Sequence, residues 1–102
     1  MSTISAEEFH DAAGAGGWHV EGDAAVATYA TGSFAKGVEL VVEIGRLADA
    51  ANHHPDVDLR YPSVRVLLTT HDAGGLTDRD VALARQVSEA ARGLGIEAQP
   101  EV

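Results

Sequence analysis

Hydrophobic and polar side chains alternate most regularly between residues 64 and 70. An alternation with a period of two places successive side chains on opposite faces of a strand, so this segment predicts a strand with one buried face. That face consists of Val64, Val66, Leu68 and Thr70, and the opposite face of Arg65, Leu67, Thr69 and His71. Shorter extended segments are predicted at residues 18–20, 24–31 and 57–59. The turn Glu21-Gly22-Asp23 makes the first two of these a hairpin.

Three other segments show the spacing of helices. Ser5 and Glu8 form a capping-box pattern, which predicts a first helix over residues 5–14. Thr77 is a natural N-cap, and it predicts a last helix that runs to about residue 92.

The middle helix, predicted over residues 33–51, is apolar around most of its circumference. Its polar strip is narrow and consists of Lys36, Glu39, Glu43, Arg46 and either Asp49 or Ala50. An apolar face this wide covers more than one sheet surface needs. Two interpretations stay open: a second copy of the chain covers the excess, or the helix is simply buried at the centre of its own chain.

The order of elements, α-β-β-α-β-β-α, predicts the fold class. We expect one α+β domain over residues 1–102, with a four-stranded antiparallel sheet and helices packed on one face. The other face and the open sheet edges would then need cover, which also favours self-association.

Composition narrows the class of protein. A chain of 102 residues forms one compact domain, and its formal charge of −9, with only seven scattered Lys and Arg residues, argues against nucleic-acid binding. There is no cysteine, so neither disulfides nor thiolate chemistry is expected. We find no signal-peptide pattern and no apolar run of the roughly 20 residues that span a bilayer. The sequence therefore predicts a cytoplasmic protein without a membrane segment.

Histidines mark the candidate site, because their reference pKa of about 6.5 suits proton transfer near neutral pH. His53 and His54 are neighbours, and His71 follows the clearest strand and precedes a glycine-rich turn. Adjacent side chains in an extended segment point to opposite sides, so His53 and His54 are expected to do different jobs.

Two aspartates have the right positions to assist these histidines. Asp49 lies one helical turn before His53, where it could orient that imidazole. Asp80 lies in the first turn of the last helix, where it is either a capping partner of Thr77 or part of the site. Zinc binding is disfavoured because neighbouring histidines lack the spacing that aligns two ligands on one helix face.

Together these residues resemble the signature of the pterin-4a-carbinolamine dehydratase family. The resemblance rests on His53-His54-Pro55, Tyr61, His71 and Asp80, and it covers the chain from about Phe34 to Ala91. It implies a hydro-lyase that needs no cofactor or metal and is often a homodimer or homotetramer. Such an enzyme removes water from a 4a-hydroxytetrahydropterin to give the quinonoid dihydropterin, in tetrahydrobiopterin recycling.

Carried over by position, the resemblance makes His53, His54, His71 and Asp80 the catalytic residues. We expect His53 and His71 to transfer protons, His54 to bind or orient the substrate, and Asp80 to polarise a histidine. The candidate substrate-binding residues are Asp49, Asp56, Val57, Thr69 and Thr70. Asp49 stands where the family usually has glutamate, and Val57 stands where some members have tryptophan.

Two other functions compete with this interpretation. The same fold could serve as a non-catalytic module that binds or dimerises with other proteins, using the broad apolar face of the middle helix. A zinc-dependent hydrolase is the third possibility.

Overall fold

The computed structural model describes residues 2–14 and 16–99, so the last three residues of the predicted featureless tail lie outside it. The helices are α1 (Ala6–Ala13), α2 (Phe34–Ala51) and α3 (Asp78–Gly93), with a 3₁₀ turn at His71–Ala73. The strands are β1 (His19–Glu21), β2 (Ala24–Ala30), β3 (Asp56–Arg60), β4 (Ser63–Leu68) and β5 (Glu97–Ala98). The predicted order of elements is confirmed, with β5 as an addition that the sequence did not predict.

The strands form one antiparallel sheet in the order β1-β2-β4-β3. The central pair, β2 and β4, is aligned from Ala25 opposite Leu68 to Ala30 opposite Ser63. The two-residue strand β5 pairs with the end of β2, on the side where β1 pairs with its beginning. The predicted four-stranded sheet is therefore present and has a short fifth strand at one edge.

One face of the sheet carries the hydrophobic core, and the helices pack there, as predicted. The strands contribute Ala25, Ala27, Tyr29, Val64, Val66 and Leu68, and the helices contribute Phe9, Leu40, Ile44, Leu83 and Val87. Alanine is a weak strand former, yet Ala25 and Ala27 are fully buried in β2. Packing against the helices thus outweighs the low strand propensity of this segment.

The opposite face of the sheet carries charged side chains around the apolar pair of Val26 and Leu67. Arg65 pairs with Glu21 at 3.4 Å, and Arg60 donates a hydrogen bond to Asp58 at 2.9 Å. The bond from Arg60 lowers the pKa of the exposed Asp58 carboxyl below its ordinary value. Charged side chains, rather than a second layer of helices, therefore line this face.

The outer surface of α2 retains an apolar stripe. Phe34, Val38 and Val42 follow one another at helical spacing and are 49%, 40% and 55% exposed. Leu40 and Ile44, on the other side of the helix, are buried in the core. The interpretation in which the chain buries the whole of α2 by itself is therefore wrong. Within the described ranges, no helix is long and apolar enough to cross a membrane.

Candidate active site

His53 is placed by the way α2 ends. Asn52 caps the helix in the left-handed conformation, with φ of 49°, and its N–H bonds to the carbonyls of Ala48 and Asp49. The N–H of His53 then returns to the Ala48 carbonyl at 3.1 Å. This closed turn directs the His53 side chain into the protein, where it is only 8% exposed.

The buried imidazole of His53 meets the carboxylate of Asp80. Nε2 of His53 lies 2.6 Å from Oδ1 of Asp80, and the Asp80 side chain is fully buried. A charge-assisted bond of this length between buried partners fixes both side chains. Asp80 belongs to the capping box that Thr77 begins, so the two interpretations of Asp80 hold together: it caps α3 and it contacts a histidine of the site.

The second oxygen of Asp80 has two further donors. The hydroxyl of Thr70 donates to Oδ2 at 2.7 Å, and the backbone N–H of Thr77 donates to the same atom at 2.9 Å. The buried carboxylate is thereby bonded at both of its oxygens.

His54 has a different partner and a different environment. Its Nε2 lies 3.0 Å from Oδ1 of Asp49, and the two side chains are 58% and 82% exposed. The hypothesis that Asp49 orients His53 is therefore wrong, because Asp80 occupies that position and Asp49 binds His54. The prediction that the adjacent histidines point to different sides is confirmed.

His71 lies on a tight turn rather than on a strand. Strand β4 ends at Leu68, two residues earlier than predicted, and Thr70 pairs in an isolated bridge with Gly75. The carbonyl of Thr70 accepts the N–H groups of Ala73, Gly74 and Gly75 at 3.1, 3.0 and 3.3 Å. Gly74 has φ of 76°, which glycine adopts without strain. These bonds turn the chain and leave His71 exposed in the first position of the 3₁₀ turn.

These turns meet at a cleft of about 240 Å³. Its lining includes five predicted site residues, namely His53, His54, Thr69, Thr70 and His71. Asp80 is buried and bonded to His53, and Asp49 is bonded to His54. Asp56 and Val57 are not part of this lining: they lie on the edge strand β3, opposite Leu67 and Val66.

Asn52, Asp72 and Arg79 also line the cleft, and the sequence did not identify them. Nη2 of Arg79 donates to the backbone carbonyl of Asn52 at 2.7 Å, which ties the first turn of α3 to the end of α2. A signal for Arg79 existed in the sequence. A cation in the first turn of a helix opposes the helix dipole, so an arginine there needs another reason.

Larger grooves occur elsewhere but have different linings. Two grooves of about 350 and 390 Å³ share Gly16, Ser88 and Arg92, near the carboxyl end of α3. No histidine is among the lining residues given for either groove in the described chain. We place the candidate site at the smaller cleft because proton-transferring side chains converge there.

Metal binding finds no support in the arrangement of side chains. Within residues 2–14 and 16–99, no group of three or more His, Cys, Asp or Glu residues is arranged to hold an ion. The two neighbouring histidines are bonded to separate carboxylates. That the protein uses no metal or cofactor stays a prediction.

A buried His–Asp pair at a cleft lined by further histidines provides side chains that suit general acid–base catalysis. Comparison with known proteins makes the class specific. The family model for pterin 4 alpha carbinolamine dehydratase matches residues 2–90. The chain therefore belongs to this family, and with it to the hydro-lyases.

Individual relatives agree with the family assignment. A putative pterin-4-alpha-carbinolamine dehydratase of Thermomicrobium roseum is 49% identical over 75 residues, covering 74% of this chain and 81% of the relative. The protein of the same name from Nocardia farcinica is 45% identical over 75 residues, covering 74% and 79%. The crystal structure of a transcriptional coactivator/pterin dehydratase from Brucella melitensis superimposes with a TM-score of 0.80. It is 26% identical, and the match covers 88% of this chain and 99% of that one.

Proposed function

We propose that the protein dehydrates a 4a-hydroxytetrahydropterin to the quinonoid dihydropterin by histidine general acid–base catalysis. The observation that carries the proposal is the buried pair of His53 and Asp80 at a cleft that His71 also lines. The names of the family and of the relatives support the substrate class.

The chemistry requires two proton transfers. An acid protonates the hydroxyl oxygen on C4a, the C–O bond breaks, and water leaves. A base removes the proton from the adjacent ring nitrogen, and that electron pair forms the new C=N bond. Two histidines near one cleft provide an acid and a base that operate close to neutral pH, and we assign these steps to His53 and His71 without ordering them.

The remaining residues of the cleft suit binding of a flat, polar bicycle. We assign His54, oriented by Asp49, to substrate orientation. Thr69, just after β4, offers backbone hydrogen-bonding groups to the edge of a pterin, whereas the backbone groups of Thr70 are engaged in the turn to Gly75 and Thr70 contributes to the lining of the cleft. Asp56 and Val57, on the neighbouring strand, complete the proposed binding set.

We further propose that the protein is a homodimer or homotetramer, because the apolar stripe of Phe34, Val38 and Val42 is uncovered in the single chain. Val42→Glu should lower the molar mass measured by light scattering to that of a smaller assembly. Ala50→Glu adds the same charge at an exposed position about two turns further along α2, beyond the apolar stripe, and is the matched control. A wild-type protein that is monomeric at all concentrations would contradict this proposal.

A non-catalytic protein-binding module is the competing proposal. The exposed stripe on α2 favours it, and the Brucella melitensis neighbour bears a name that includes transcriptional coactivator. The two proposals separate in one variant that lacks His53, His54 and His71. A dehydratase loses its activity in that variant, whereas a scaffold keeps its partner.

The experiment that tests the proposed function measures the initial rate at which a synthetic 4a-hydroxytetrahydropterin is converted to the quinonoid product, followed by absorbance. We expect an active wild type and rates lower by roughly 100-fold or more in His53→Ala and in His71→Ala. His10→Ala is the control, since His10 is exposed on α1. A folded wild type without activity would overturn the proposal. The place of the reaction in tetrahydrobiopterin recycling, and a cytoplasmic location, stay predictions.

A further inference from the structure

Thr70 links the two histidines that the proposed function uses for proton transfer. Its side chain is 2% exposed, and its hydroxyl lies between Asp80 Oδ2 at 2.7 Å and Thr77 Oγ1 at 2.8 Å. Its carbonyl holds the turn that presents His71. The side chain of Thr70 therefore holds Asp80, which is the partner of His53. The backbone carbonyl of Thr70 holds the turn that positions His71.

The number of available protons determines the direction of these hydrogen bonds. A hydroxyl has one proton, and that of Thr70 is donated to Asp80. The bond between the two threonines must then be donated by Thr77 and accepted by Thr70. The oxygen of Thr77 still accepts the N–H of Arg79 at 3.2 Å, so every member of the chain of bonds is satisfied.

Oδ2 of Asp80 accepts the hydrogen bonds from Thr70 and Thr77, and Oδ1 contacts His53. With two donors on Oδ2 at the N-terminus of α3, the Asp80 carboxylate is hydrogen-bonded on that side. An ionised carboxylate only accepts, so Nε2 of His53 must carry the proton in the bond to Oδ1. In the neutral imidazole, Nδ1 is then the atom with the free electron pair. Nδ1 has no hydrogen-bond partner among the described residues, and His53 lines the cleft.

We propose that Thr70 is a positioning residue: its hydroxyl fixes the Asp80 carboxylate, which holds His53 as the Nε2–H tautomer and leaves Nδ1 to exchange a proton with the substrate. The first part concerns the protein alone, and the role of Nδ1 rests on the proposed function. Thr70 itself touches Asp80 and Thr77, so its side chain acts on the reaction only through them.

Two substitutions distinguish the effect of the Thr70 hydroxyl from the effect of the side chain's shape. Thr70→Val keeps the branched shape and removes the hydroxyl, whereas Thr70→Ser keeps the hydroxyl and removes a methyl group. Thr31→Val is the matched control, because it removes a hydroxyl whose oxygen is buried without a partner among the described residues. Thr31 follows the last residue of β2 and lies outside the lining of the cleft.

The tautomer of His53 is read by long-range proton–nitrogen NMR on histidine-labelled protein at alkaline pH, and the His53→Gln spectrum assigns the signal. We expect a protonated Nε2 and an unprotonated Nδ1 in the wild type and in Thr31→Val. Thr70→Val should show a mixture of tautomers, and Thr70→Ser should restore the single one. A protonated Nδ1 in the wild type overturns the proposal without any variant having to fold.

Kinetics supply the second readout. Thr70→Val should lower kcat by roughly tenfold with a smaller change in KM, and Thr70→Ser should recover most of it. Unchanged kcat and an unchanged tautomer in Thr70→Val, with only a lower melting temperature, would reduce Thr70 to a structural role and overturn the proposal. A wild type that is inactive on the pterin contradicts the proposed function instead, and the tautomer then still decides whether Thr70 positions His53.

Discussion

His53 and Asp80 are 27 positions apart in the chain, and their side chains meet at 2.6 Å in the buried space between the end of α2 and the start of α3. The contact joins two helix termini. The C-terminus of α2 is capped by the left-handed Asn52, which directs His53 inward, and the N-terminus of α3 is capped by Thr77. A histidine held in this way is ordered before any substrate binds, which is what proton transfer in a defined geometry requires.

Replacing the carboxylate of this pair should cost both activity and stability. In Asp80→Asn, the amide oxygen can accept from Thr70 and Thr77, but the amide NH2 then faces Nε2 of His53, so either Nε2–H loses its acceptor or the imidazole switches to the Nδ1–H tautomer. We expect kcat to fall by roughly 100-fold. The free energy of unfolding in urea should fall by about 1–3 kcal/mol.

Asp49→Asn is the matched control for the stability effect. It makes the same chemical change in the exposed pair of Asp49 and His54, where the contribution of an ion pair is about 0–1 kcal/mol. Equal losses of stability in the two variants would contradict the distinction between the buried and the exposed pair.

The bond from Arg79 to the Asn52 carbonyl should matter for activity more than its exposure suggests. Arg79→Met frees the turn that carries His53, so we expect a several-fold lower kcat and a loss of about 1 kcal/mol in stability. Arg85→Met is the control, since Arg85 also donates to a backbone carbonyl, that of Ala12, away from the cleft. If both variants keep the wild-type kcat in the absorbance assay, Arg79 does not position the site.

Thr31→Val should stabilise the protein. The hydroxyl oxygen of Thr31 is buried and has no hydrogen-bond partner among the residues described, so it carries a desolvation cost without compensation. We expect the free energy of unfolding to rise by about 1 kcal/mol, measured as a higher urea midpoint at an unchanged slope. A lower midpoint would mean that this oxygen finds a partner in solution.

Tyr29 should make the fold sensitive to alkaline pH. Burial raises the pKa of its phenol above the ordinary value of 10.0, while the bond with Ser88 opposes the shift. As pH rises past about 10, the unfolded chain loses this proton first, so stability falls until the folded pKa is reached. Below about pH 10 the contribution is constant.

Urea unfolding at roughly pH 9 and roughly pH 11 tests this effect. Tyr29→Phe should show a smaller loss of stability between the two values than the wild type. Tyr61→Phe, which alters an exposed tyrosine, should behave like the wild type. If Tyr29→Phe loses as much as the wild type, another group causes the alkaline loss.

Local signals in the sequence predicted most of the fold. Ser5 and Thr77 begin helices where their capping patterns place them, and the alternation from Val64 to Leu68 is a buried strand. Strand β5 had no such signal, because two residues become a strand only by pairing with β2. The alternation predicted a strand as far as Thr70, but β4 ends at Leu68. The Thr70 carbonyl accepts three N–H groups, and these bonds turn the chain.

The sequence predicted five of the eight described residues that line the candidate cleft, but it did not predict which carboxylate pairs with which histidine. The spacing of Asp49 and His53 favours a contact only if the helix continues, and α2 ends at Ala51. The left-handed conformation of Asn52 directs the side chain of His53 toward the core, where it contacts Asp80 of α3. A contact between residues so far apart depends on how helices pack on the sheet, which no local pattern records.

A double-mutant cycle on His53 and Asp80, measured by the dehydration rate of a synthetic 4a-hydroxytetrahydropterin, tests the central claim most directly. Wild type, His53→Gln, Asp80→Asn and the double variant are compared, with folding checked by circular dichroism. If the two residues act as one catalytic unit, the double variant is about as slow as the slower single variant. Losses that multiply, or a folded wild type that does not dehydrate the pterin, would contradict the account.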